Sequence, residues 1–111
     1  MQQATAKQTD IKMPARKIRR VIDLVRGKTA VEATRMLKYM PYFAARVVEK
    51  NLNAAIANAE QKFGAKAAEL KISEIYADEA PTYRRVRARA QGRMYKRLKR
   101  TSHLTVKVAK D

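Results

Sequence analysis

The sequence predicts an α+β fold: three helices packed on one face of a small three-stranded antiparallel sheet, with a long β-hairpin protruding from it. Three observations carry this. Apolar residues recur at helical spacing through the N-terminal half. The period then changes to alternation, cleanest where Leu104, Val106 and Val108 alternate with Thr105 and Lys107, the mark of a half-buried strand. Between two strand-like segments runs a stretch of cations, Arg84 to Arg100, with no acid. A chain of 111 residues, 46% of them hydrophobic, holds one core and no second. The whole chain, 1–111, is one domain, with a globular part at about 1–80 and 98–111 and a hairpin at about 81–97.

The elements follow in order. Residues 4–12 supply a weak strand. Residues 14–26 read as a helix, because Pro14 suits a first helical turn and Ile18, Val21, Ile22 and Val25 form one stripe. Arg16, Arg19 and Arg20 point away from that stripe, Leu24 falls off it, and Gly27 is a plausible stop. Thr29 and Glu32 have capping-box spacing for a helix from Ala30 to about Met40, with Ala33, Met36, Leu37 and Met40 on its apolar side. Pro41 then opens a third helix to about Phe63, ended by Gly64. Its stripe is Ala44, Val48, Leu52, Ala55, Ile56, Ala59 and Phe63, whose many alanines allow close approach of another element. Leu70–Ala77 reads as a strand with Ile72, Ile75 and Tyr76 apolar, although a mismatch in the alternation leaves its register open.

Charge narrows the function. The chain carries 26 Lys or Arg against 10 Asp or Glu, a formal net charge of +16. The excess sits in two places. Residues 11–28 hold Lys12, Arg16, Lys17, Arg19, Arg20, Arg26 and Lys28 against Asp23 alone. Residues 82–100 hold Arg84, Arg85, Arg87, Arg89, Arg93, Lys96, Arg97, Lys99 and Arg100 against no acid. The middle, 29–81, is balanced. Such self-repulsion persists only where a counter-charge is normally present, which points to a polyanion. Absence of Cys and a single His exclude a disulfide scaffold and Cys- or His-cluster metal sites. No metal or other cofactor is expected. No run approaches the ~20 apolar residues of a membrane helix, and no secretory signal follows the basic N-terminus.

The segment between the last two strands is the most informative. Arg85, Arg87 and Arg89 alternate with Val86, Ala88 and Ala90, a period of two suited to an extended arm. Gln91-Gly92 is a turn candidate. The simplest geometry continues the two flanking strands beyond the domain, with arms of ~8 residues projecting roughly 25 Å. Such a ribbon buries almost nothing, so its order must come from an anionic partner. Arginine dominates the run, and its planar fork binds phosphate bidentately and stacks on bases. Tyr83 and Tyr95 flank it, placed either to stack on unpaired bases or to pack where the ribbon joins the sheet.

PTYRRVRARAQGRMYKRLKRTSHLTVKV closely resembles the signature region of the ribosomal protein L-twenty-two family of the large ribosomal subunit. MPARKIRRVIDLVRGK is similar to its first helix and NAAIANAEQKFG to the end of its third, so the likeness runs from about Met13 to Val108. The ordered combination of PT, RAQGR and KRTSH is specific, whereas each piece alone is weak. Three positions depart from the family's pattern: Ala80 replaces its usual Gly, Ala88 its usual Pro, and Met13 a frequent Ser. The resemblance implies the same α+β fold, a globular part near the tunnel outlet, and a hairpin threaded between rRNA segments that helps line the nascent-peptide tunnel. It implies several rRNA domains, neighbouring large-subunit proteins and the nascent peptide as partners, a part in early assembly, and residence on a cytoplasmic or organellar ribosome. By position, Arg87, Ala88, Arg89, Ala90, Gln91, Gly92 and Arg93 form the tip. Arg84, Arg85, Lys96, Arg97, Lys99 and Arg100 line the stem, and Arg16, Lys17, Arg19 and Arg20 meet RNA from the first helix. Lys12, Arg26 and Lys28 complete the expected rRNA-binding set. A homo-oligomer is not expected.

Three other functions compete. Ser102 beside His103 suggests a nucleophile and base, but adjacent strand residues point to opposite faces and no nearby acid orients the imidazole. A DNA-compacting protein needs a basic face, not an unsupported basic hairpin. A membrane-surface role lacks aromatic anchors on the first helix's apolar face.

Overall fold

The computed structural model describes residues 2–81, 83–88 and 94–110. Their order is β1 (Gln2–Ile11), α1 (Ala15–Val25), α2 (Ala30–Lys38), α3 (Phe43–Phe63), a 3₁₀ turn (Ala67–Glu69), β2 (Lys71–Glu79), β3 (Tyr83–Ala88), β4 (Met94–Lys99) and β5 (Ser102–Lys110). β1, β5 and β2 form an antiparallel sheet in that order, and β3 pairs with β4 in a ribbon of its own. The predicted α+β architecture, three helices on a three-stranded antiparallel sheet with a projecting hairpin, is the architecture found.

The core lies between the helices and one face of the sheet. Ile18, Val21, Ile22 and Val25 of α1 are buried, as the stripe predicted, and meet Val48, Leu52, Ala55 and Ala59 of α3 in one cluster with Ile72, Ile75, Leu104, Val106 and Val108. Ile56 and Phe63, placed on the same stripe, are half-buried against that cluster, as are Met36 and Met40. Leu24 is 49% exposed, an isolated surface apolar residue.

The helix ends show why some boundaries shift. Pro14 is the N-cap of α1, extended at ψ 141°, and supplies no side-chain cap; its carbonyl accepts the Lys17 N–H at 3.1 Å. Thr29 caps α2, its hydroxyl accepting the Glu32 N–H at 3.3 Å. α2 stops at Lys38 because Met40 precedes Pro41, a position that disfavours helical backbone. Tyr39 and Met40 donate instead to Met36 and Leu37 in tight 3₁₀ fashion. α3 begins at Phe43 rather than Pro41, because its N-cap Tyr42 is extended. It ends at Gly64, whose φ of +67° is accessible without the Cβ penalty other residues incur.

β2 runs two residues beyond the predicted Ala77, and the irregular alternation has a physical source. Ile72 pairs with Val108 and Glu74 with Lys107, leaving Ser73 as the extra residue of a bulge whose hydroxyl donates to the Lys107 carbonyl. Ile72 and Ile75 thereby face the same core although three apart. β1 also breaks register, between Gln8 and Ile11, where Asp10 adopts φ +53° and donates its N–H to His103 Nδ1 at 3.1 Å. Thr105, expected on an open face, is buried because β5 is the central strand and Lys7 and Tyr76 flank it.

The projecting ribbon is not a direct continuation of β2 and β5, contrary to the simplest sequence geometry. The register moves by one residue between the Glu79–Ser102 and Tyr83–Lys99 pairs. Pro81, which has no N–H to donate, sits at the break. Two bonds bridge it, Ala80 N–H to the Thr101 carbonyl at 3.0 Å and the Thr101 hydroxyl to the Pro81 carbonyl at 2.8 Å.

Candidate nucleic-acid interface

The two cation-rich segments meet at the root of the ribbon. Pro14, the N-cap of α1, Ala15 and Arg16 of its first turn, and Glu79, Ala80, Arg100 and Thr101 line one cleft of about 280 Å³. Arg16 and Arg100, far apart in sequence, therefore border one space. Sequence distribution alone placed the two charge clusters; the cleft joins them.

The cations of α1 divide by what they touch. Lys12, Arg16, Lys17 and Lys28 are exposed. Arg20 lies over the Tyr42 ring, its Cζ 4.2 Å from the centroid. Arg19 turns inward along the flank, and its Nε and one Nη donate to the Ala77 carbonyl at 3.2 and 2.9 Å. Arg26 pairs with Asp23 at 2.8 Å and donates to the Ile75 carbonyl at 3.0 Å. Arg19 and Arg26 thus tie α1 to the outer edge of β2. Their clamping role was not legible from helical spacing, which gives directions about one axis but not the position of a neighbouring strand.

On the ribbon, Arg84, Arg85 and Arg87 lie in β3 and Lys96, Arg97 and Lys99 in β4. Arg85 pairs with Arg97, Val86 with Lys96 and Arg87 with Tyr95. Ala88 ends β3 opposite Met94. The rest of the expected tip, Arg89, Ala90, Gln91, Gly92 and Arg93, lies outside the described residues. Tyr83 and Tyr95 fall in the strands, and the choice between their stacking and packing roles concerns side chains outside the description.

Aromatic residues that sequence pattern did not single out stand elsewhere. Tyr39 is 78% exposed and Phe43 72%, on either side of Pro41 between α2 and α3. The turn that carries them is held by Arg46, which donates to the Leu37 carbonyl and to the Met40 carbonyl at 3.2 Å. Five consecutive residues, Tyr39-Met40-Pro41-Tyr42-Phe43, carry three aromatic rings, and that density was the available signal.

Ser102 and His103 have separate structural duties. The Ser102 hydroxyl is buried and donates to the Met13 carbonyl at 2.8 Å, while His103 Nδ1 accepts the Asp10 N–H. The hydroxyl and imidazole are not arranged as nucleophile and base. No helix among the described residues is long and apolar enough to cross a membrane.

The three helices and three-stranded sheet thus carry a cation-rich helix beside the root of a cation-rich ribbon. Residues 6–109 match the family of Ribosomal protein L22p/L17e, and the chain belongs to it. Membership makes it a structural protein of the large ribosomal subunit, in a family that is typically non-enzymatic.

Proposed function

We propose that this protein binds large-subunit rRNA through α1 and the ribbon, supports subunit assembly, and helps line the nascent-peptide tunnel with the ribbon tip. The carrying observation is the cleft at the ribbon's root, where Arg16 and Arg100 border one space. Lys12, Arg16, Lys17, Arg20 and Lys28 extend that surface along the globular part, and the strands that continue it, β3 and β4, are rich in Arg and Lys. Arg19 and Arg26 belong to the same surface with part of their donor capacity committed to β2. Neighbouring ribosomal proteins and the nascent peptide complete the partners, and the protein acts as one copy on its ribosome.

Affinity comes from phosphate neutralisation and counterion release, and shape decides where the ribbon fits. Contact with ~6–10 phosphates makes affinity fall about 10³–10⁵-fold between ~50 and ~200 mM salt, with a shallower slope on single-stranded RNA. Equilibrium binding to a large-subunit rRNA transcript over that range tests this. Arg16→Gln and Arg100→Gln are each expected to reduce the salt slope by about 0.7–0.9. A salt-independent wild-type affinity overturns the electrostatic account, and equal affinity for duplex DNA overturns the specificity for rRNA.

A further inference from the structure

The stretch from 29 to 81 is charge-balanced in sum but sorted in space. On the outer side of α2 and α3 lies a shallow groove of about 500 Å³. Val31, Ile56 and Ala67 give it an apolar floor, and Tyr39 and Asn53 also line it. Two cations, Arg35 and Lys38, border it, and none of its lining residues is acidic. Lys38 Nζ stands 5.9 Å from the Tyr39 ring centroid, so cation and aromatic already share one edge.

We infer that this groove is a nucleotide-binding site separate from the ribbon and α1: it receives one unpaired base of the bound RNA. The chemistry matches each part of that ligand. A base has apolar faces, which an aromatic ring and aliphatic floor accept. Its edge carries donors and acceptors, and the Asn53 amide offers both. Its phosphates are anionic, and Arg35 and Lys38 stand at the rim. An apolar protein segment would also suit the floor. The exposed ring beside two cations and an amide favours the nucleotide, as does the excess positive charge of the whole chain. The inference rests on the rRNA-binding function proposed above, and adds an interaction made by stacking to those made by charge.

The test uses the full chain and a large-subunit rRNA transcript, with affinity measured at several salt concentrations. Tyr39→Ala is expected to bind about 5- to 150-fold more weakly at every salt concentration with its slope unchanged, because stacking releases no counterions. Tyr39→Phe keeps the ring and keeps the affinity. The double variant Arg35→Gln, Lys38→Gln lowers the slope by about 0.7 for each phosphate that it leaves without a cation. Thermal unfolding of Tyr39→Ala should match wild type, since the ring is 78% exposed. Wild-type affinity in Tyr39→Ala overturns the inference. So does normal binding to naked rRNA with weakened incorporation into subunits, which would assign the groove to a protein segment. If Tyr39→Ala is neutral while Arg16→Gln still lowers the slope, only the groove fails. If Arg16→Gln and Arg100→Gln are neutral as well, the rRNA-binding reading fails with it.

Discussion

Single polar residues fix how the layers sit on each other. Asn51 is buried in α3, and its amide donates to the Ala6 carbonyl at 3.2 Å and the Leu104 carbonyl at 3.4 Å. It sets the helix at one height over two strands, which a purely apolar residue could not do because dispersion has no direction. Charged pairs act at the surface. Lys110 lies 3.1 Å from Glu69, joining the end of β5 to the 3₁₀ turn. The hydrogen bond from Lys110, then that from the Lys66 N–H, holds the Glu69 carboxyl below its ordinary value of 4.5. A folded pKa below the unfolded one means this contribution is present above the ordinary carboxylate range. It is lost as pH falls through the folded value. Lys107 is the reverse case, raised above 10.5 by its hydrogen bond to Glu74, so its contribution is present below that value and lost as pH rises through the folded one. An NMR titration of the Glu69 carboxyl should show a depressed midpoint in wild type and a rise toward 4.5 in Lys110→Met. Identical midpoints in both proteins would remove Lys110 as the cause.

At the scale of elements, helix side chains bond two carbonyls on each outer strand of the sheet. Asn58 donates to the Thr5 carbonyl at 3.0 Å and Lys62 to the Gln3 carbonyl at 3.1 Å, along β1. Arg19 and Arg26 do the same for Ala77 and Ile75 along β2. Denaturant unfolding should therefore separate Arg19 from Arg16. Arg19→Met is expected to cost about 1 kcal/mol of stability, the worth of a partly exposed charge-assisted bond. Arg16→Gln should stay within about 0.5 kcal/mol of wild type. Equal losses would deny Arg19 its clamp. The apolar stripes of the helices were legible in the sequence because burial repeats with the helical period and needs no knowledge of neighbours. So was the alternation of β5. The Ser73 bulge was visible only as a mismatch, since an inserted residue disrupts alternation without saying which residue is extra. The edge clamps and the meeting of Arg16 with Arg100 were not legible, because each joins positions distant in sequence through tertiary placement. The α2–α3 groove was concealed by a neutral total, in which Glu69, Glu74, Asp78 and Glu79, on the 3₁₀ turn and β2, offset the basic excess of α2 and α3.

The whole molecule is elongated, 62 × 25 × 17 Å, with a radius of gyration of 17.0 Å; a compact chain of ~100 residues has about 13 Å. The ribbon accounts for this shape, as a two-stranded sheet outside the three-stranded one. Ribbons of that kind are marginal in water, and the sequence of β3 and β4 carries cations and no acid. Heteronuclear relaxation on the free protein should show larger fast-timescale motion at the amides of 83–88 and 94–99 than in β5, with the difference removed when rRNA binds. Uniform rigidity in the free protein would show that the ribbon needs no RNA to order it. Before any RNA is met, a freshly made chain encounters other copies of itself, and bare strand edges would recruit them into mixed sheets. Arg19, Arg26, Asn58 and Lys62 each occupy a carbonyl of the outer strands, and a net charge of +16 keeps copies apart. The side chains that dock the helices thus also take up strand carbonyls that another copy would otherwise find free.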